Sequence, residues 1–250
     1  LGGSLPTGIA IFIGLVLAGI VAAIFGILIG VPALRLKGDY LAIITLGFGE
    51  IIRVCIINLP EITGGTPGMM GIPKHANFLV VYLAVVVAFL VGWFLNRSSV
   101  GLNLRAVGEN PATADAAGIN VTLYKYVATC TGAAICGVGG LYYVLDYNQG
   151  IWATTGQIEA LGWLAVALVI FTTWKPLNAI WGAYLFGVLY WLYQFLPSLL
   201  GITVASYMTD LIQMLPYVVT IVVLIVVSLR KKKENQPPEH LGLSYFREER

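Results

Sequence analysis

Charge is scarce in this 250-residue chain: Asp, Glu, Lys and Arg together make up 10% of it. A water-soluble domain carries roughly a quarter, so a fold wetted on all sides is excluded. Histidine occurs only at His75 and His240, and the cysteines Cys55, Cys130 and Cys136 stand alone inside apolar runs. These spacings offer neither a metal-ligand set nor a disulfide framework; small apolar packing is the ordinary use of such cysteines. No nucleophile with a partnered base, no phosphate-binding loop and no paired glycosidase-type carboxylates are present. "GFGE" at 47–50 and "GVGG" at 137–140 lie within apolar runs and are not dinucleotide fingerprints. The expectation is a chain without a catalytic site, metal or cofactor of its own, and without a nucleic-acid partner.

Apolar residues fill the space that charge leaves, at 58% of the chain and a mean hydropathy of +0.87. Several runs reach the roughly 20 apolar residues a helix needs to cross a bilayer. They do not alternate as barrel strands do. The expected class is an all-α, polytopic transmembrane helical bundle with about seven crossings, near 8–33, 40–58, 78–95, 121–145, 158–173, 177–196 and 207–229. A domain 1–229 is followed by a polar tail, 230–250, expected to anchor at the lipid surface through residues 230–233. The opening "LGGSLPTG" has neither methionine nor a charged leader, so helices are expected ahead of Leu1.

Basic residues orient the bundle. With the tail in the cytoplasm, Arg35, Lys37, Arg97, Arg105, Lys125 and Lys175 fall on the same side as the basic tail, Lys74 falls outside and Arg53 lies within a span. Leu1 is then external and the C-terminus cytoplasmic.

Polar residues within the runs stand out. Glu50 and Arg53 share a helix face at i,i+3 and can pair. Such a pair either joins helices or lines an aqueous path; Thr45 and Asn58 are further candidates for the path. Glu159, Asp210 and Asp146 fall near outer span ends, where interfacial water accommodates them. Pro216 is placed in the first half of the last span. The outer loop 63–73, rich in Gly, Pro and Met, is either a plain connection or a surface for a partner.

One polar island, "RAVGENPATADAAGINVTLYK" (105–125), interrupts the apolar chain. Asn110 as N-cap, Pro111 at the first helical position and a stop at Gly118 predict a short helix. Its alanines leave almost no side-chain bulk, as suits either docking into a cleft or a plain connector.

The segment "LRAVGENPATADAAGIN" resembles the coupling helix of ABC importer permeases for branched-chain amino acids, simple sugars and nucleosides. The likeness is carried by Glu109, Ala112, Ala114, Ala116, Ala117 and Gly118, with Asn110 and Asp115 between them. It implies that residues 109–118 dock in a cleft of an ABC ATP-binding subunit, which hydrolyses the ATP. The remaining partners it implies are a second permease subunit, an extracytoplasmic substrate-binding lipoprotein, a small-molecule substrate and membrane lipid, in a bacterial-type plasma membrane. "GVPALRLKGDYLAIITLGFGEIIRV" with "TGGTPGMMGIP" is similar to branched-chain amino acid and urea permeases. "LGWLAVALVIFTTWKPLNAIWGAYLFG", "MLPYVVTIVVLIVVSL" and "LGLSYFREER" are similar to nucleoside permeases, and the balance leans to a nucleoside. An ion-coupled secondary carrier using Glu50 and Arg53 is the alternative of another class, disfavoured because such carriers show internal repeats.

Overall fold

In the computed structural model, residues 7–72, 78–152, 157–200, 214–230 and 237–245 are described. They form α1 (Thr7–Ala33), α2 (Asp39–Ile57), α3 (Pro60–Thr63), α4 (Phe78–Arg97), α5 (Ser99–Glu109), α6 (Pro111–Ala116), α7 (Val121–Leu145), α8 (Gln157–Phe171), α9 (Pro176–Leu200) and α10 (Leu215–Arg230). Among the described residues there is no strand, only an isolated bridge between Met69 and Trp152. The all-helical class stands. Three helices, Gly8–Ala33, Asp39–Ile57 and Val121–Leu145, are long and apolar enough to cross a membrane. A fourth span results if the bent pair Tyr82–Arg97 and Ser99–Glu109 counts as one; Ala160–Phe171 is apolar but shorter. The chain is a multi-pass membrane protein.

Two compact units divide the chain: 1–80 with 103–155 and 240–250, and 81–102 with 156–239. In the first unit α1 and α7 pack along their lengths, antiparallel, through small residues. Added Cβ atoms at Gly26 and Gly137 would lie 2.5 Å from Ala133 Cβ and Ala22 Cβ respectively. Lipid supplies no hydrophobic drive for helix pairing, so such close backbone approach is what holds two membrane helices together.

In the second unit α8 packs on α9 and α10. Phe171 meets Phe186 with ring centroids 5.3 Å apart, and Gly182 lies against Leu168 and Thr172. The α8–α9 turn places Thr173 and Trp174 at φ 53° and 55°, a left-handed pair without glycine.

α10 begins at Leu215, which puts Pro216 in its first turn, where its missing N–H costs nothing. The start of the run expected at 207–229, and Asp210 with it, lies outside the described residues. Residues 231–233, three of the four expected to anchor at the lipid surface, lie outside the described residues, while residues 240–245 of the tail fold back onto the first unit.

Candidate functional site

The polar island is organised by its caps. Ser98 Oγ accepts from the Gly101 N–H at 3.1 Å and starts α5. Asn110 is extended, at φ −147°, and its Oδ1 accepts from the Thr113 N–H at 3.0 Å, with Pro111 following at the first helical position. At the other end Gly118 adopts φ +84°. Its N–H donates to Asp115 O, and the Ile119 N–H donates to Ala114 O, both at 3.0 Å. This pair of bonds is a Schellman motif, and Ile119 packs against the small core that holds Ala114. Asn120 Oδ1 then accepts from the Leu123 N–H at 3.0 Å, so α7 begins two residues after the motif ends.

α6 has two faces. Pro111 and Ala114 point inward; Ala114 is 3% exposed and joins Val107 and Val121 in a small core that Ala106, Ile119, Tyr124 and Tyr245 surround. Outward, Ala112, Thr113, Ala116, Ala117 and Gly118 are exposed, as are Glu109 and Asn110 before the helix. Ala114 therefore belongs to the chain's own packing, and the accessible surface of the island is its other alanines. Asp115 is half-buried and accepts from the Tyr245 hydroxyl at 3.1 Å. Between them lies a groove of about 300 Å³ lined by Asp115, Tyr245 and residues 118–122.

Three segments expected on one side meet here. The Gly38 N–H donates to Gly242 O at 2.8 Å and the His240 N–H to Gly108 O at 3.1 Å. Lys125 Nζ donates to Leu243 O at 3.5 Å, and Asn103 Nδ2 to Tyr124 Oη at 2.9 Å. The basic α1–α2 link, the island and the tail thus share one end of the first unit. At the other end of α7, the loops expected on the opposite side pair with each other. The Met69 and Trp152 N–H groups donate to each other's carbonyls at 2.9 and 2.8 Å, and the Ile72 N–H reaches Gly150 O at 3.1 Å. Within the first unit, these two groups of segments lie at opposite ends of α7.

Sequence reasoning missed α5 and the tail contact. Apolar Val100, Leu104 and Val107 at i, i+4 and i+7 after a capping serine were the available signal for α5. Nothing local signals that Tyr245 reaches Asp115, 130 residues away.

The candidate path residues all lie on or at the end of α2. Glu50 and Arg53 form an ion pair, with Arg53 Nε 3.0 Å from Glu50 Oε2. Thr45 Oγ1 donates to Leu41 O at 2.9 Å, and Asn58 Nδ2 to Val54 O at 2.8 Å. Each is satisfied within its own helix. At 3.6 residues per turn Thr45 and Asn58 project roughly 140° apart, so the four residues do not share one narrow face. Among the described residues no group of three or more His, Cys, Asp and Glu is placed to hold a metal.

Residues 2–227 match the family described as the branched-chain amino acid transport system permease component. A putative glucose ABC transporter permease of Haloferax volcanii is 42% identical over 43% of this chain and 32% of its own length. The high-affinity branched-chain amino acid transport system permease LivM of Salmonella typhimurium is 35% identical over 65% of this chain and 46% of its own. A nucleoside ABC transporter permease, NupC, of Lactococcus lactis is 36% identical over 57% and 44%. The chain thus spans a third to just under half of the length of these relatives. No solved structure matches. The family match takes in the island, α2 and the paired turns at 69–72 and 150–152 together, and the chain belongs to the branched-chain amino acid transport system permease component family.

Proposed function

We propose that this chain is the permease subunit of an ATP-driven importer and forms part of the translocation path for a small polar metabolite. The observation that carries the reading is the two-faced α6. Its inward face is fixed by the chain's own packing and both ends are capped, while its outward face is small and open. A helix built this way offers a firm, low-relief surface to a partner, here the ATP-binding subunit. Glu109, Asn110, Ala112, Ala116, Ala117 and Gly118 make the contact; Ala114 and Asp115 back it. Seven crossings with the C-terminus in the cytoplasm put this surface where ATP is available. A second permease subunit completes the path, and a substrate-binding lipoprotein delivers to the outer turns. Closure of the ATPases moves α6, and the two permeases rock between outward- and inward-open states.

A nucleoside is the first substrate reading, on the likeness of 161–187, 214–229 and 241–250 to nucleoside permeases and on the nucleoside permease among the relatives. A branched-chain amino acid is the second, favoured by the longer alignment to the amino acid permease.

Uptake into proteoliposomes holding the full complex, with ATP enclosed, tests both. Labelled adenosine should accumulate only with ATP and the ATPase present; accumulation of leucine instead would select the second reading. Uptake that persists without the ATPase and follows a proton gradient would mean an ion-coupled carrier and sink the proposal. In the same complex, Ala112→Cys should crosslink to the ATPase.

A further inference from the structure

We infer that residues 240–245 form a strap that positions α6, with Tyr245 as its positioning residue. The inference rests on the reading of α6 as the ATPase contact and names what stands behind that contact.

A helix of six residues is far below the length that is stable alone. Pressure on its open alanine face must be borne by whatever lies behind it. Behind it are Val107 and Val121 from the neighbouring helices and, from the tail, the ring of Tyr245. The Tyr245 hydroxyl also holds the Asp115 carboxylate in the last turn of α6. Within five residues of Tyr245 the same segment is tied to three other elements. Gly242 O accepts from Gly38 in the α1–α2 link, the His240 N–H reaches α5 at Gly108, and Leu243 O accepts from Lys125 in α7. Gly242 makes the turn at φ +75°, and Ser244 beside it is buried. One six-residue segment therefore touches α5, α6, α7 and the link into α2. A push on α6 is carried through Tyr245 to that link, whereas an unbacked loop would yield and dissipate it.

The test uses the assembled importer in proteoliposomes, reading labelled adenosine or leucine moved per ATP hydrolysed. Tyr245→Phe keeps the ring and removes only the bond to Asp115; it should lower the ratio about threefold. Tyr245→Ala, which also removes the packing, should lower it further. Asp115→Asn keeps an acceptor oxygen and should retain most of the ratio. Crosslinking from Ala112→Cys to the ATPase should survive in each variant, separating docking from transmission. Independently of the ATPase, hydrogen exchange at the amides of Ala117, Gly118 and Ile119 should quicken about tenfold in Tyr245→Ala. Wild-type ratio and wild-type exchange in both Tyr245 variants would overturn the strap. A parent complex without the Ala112 crosslink would defeat the docking reading instead; the exchange measurement then decides the strap by itself.

Discussion

α6 has six residues, two of them buried; α2 has nineteen, and none is buried. The short helix is polar, capped at both ends and packed on residues from α5, α7 and the tail. The long one exposes Tyr40, Ile43, Leu46 and Ile51 by more than half of their surfaces. Hydropathy alone would rank their stability the other way round. In water a helix is held by its buried face. In a bilayer its backbone bonds are kept because there is no water to compete for them, and lipid or a second subunit covers its sides. An exposed apolar surface of this extent marks such a covering. α6 is thus positioned by this chain itself, whereas α2 awaits its surroundings.

The sharpest challenge to this contrast falls on the Glu50–Arg53 ion pair of α2. If lipid or a neighbouring subunit covers that helix, Glu50 and Arg53 are tolerated there because each neutralises the other. Arg53→Leu should then reduce the amount of chain recovered from membranes by about tenfold, and Glu50→Leu should do much the same. The double change to leucine should restore most of the loss. Quantitative immunoblotting of membrane fractions reads the amounts, and uptake assays on the double variant read its role. Recovered protein with uptake lost would assign the pair to the path; failure of the double change to restore the protein would mean that the charges serve separately.

A smaller effect is expected where α6 ends. An added Cβ at Gly118 would meet nothing within 4 Å, so a substitution there acts through backbone conformation alone. Gly118→Val forces a β-branched residue into φ +84°, at a cost of about 2 kcal/mol. That cost would open the Schellman motif. Gly118→Asn tolerates the left-handed region and should be mild. ATP-driven uptake should fall several-fold for valine and little for asparagine, with both variants present in membranes at the parent level. Equal losses would mean that the Gly118 surface, rather than its conformation, is what matters, and that α6 is less independent of its partner than the contrast holds.

How much of this could be read in advance follows the same division. The apolar runs at 8–33, 40–58 and 121–145 locate α1, α2 and α7 nearly to the residue, because in lipid composition over some twenty residues is the physics. Asn110, Pro111 and Gly118 locate α6, because capping is chemistry between near neighbours. α5 escaped because Arg105 and Asn103 made the segment read as part of a polar connection. Two contacts had no local signal at all: the tail on the island, and Met69 with Trp152. Each joins residues more than eighty positions apart and is written only in the folded chain. Ala114 shows the limit within a motif: spacing placed it in the helix, but only its burial separates it from Ala112 and Ala116.

The smallest expected effect is also the most selective probe of α2. The Thr45 hydroxyl is already spent on Leu41 O and Ala42 O of its own helix. Thr45→Val keeps the branched shape and leaves both carbonyls with their ordinary helical partners, so no buried group is orphaned and stability should shift by less than about 0.5 kcal/mol. Surroundings that are only lipid or apolar protein would leave uptake unchanged too. A polar path is different: there the hydroxyl would turn to the substrate or to water, and the valine would raise the concentration for half-maximal uptake while leaving the protein level alone. An unchanged uptake curve therefore removes Thr45 from the path and narrows the polar contribution of α2 to Glu50, Arg53 and Asn58, whereas a shifted one places the Thr45 side of the helix against the substrate.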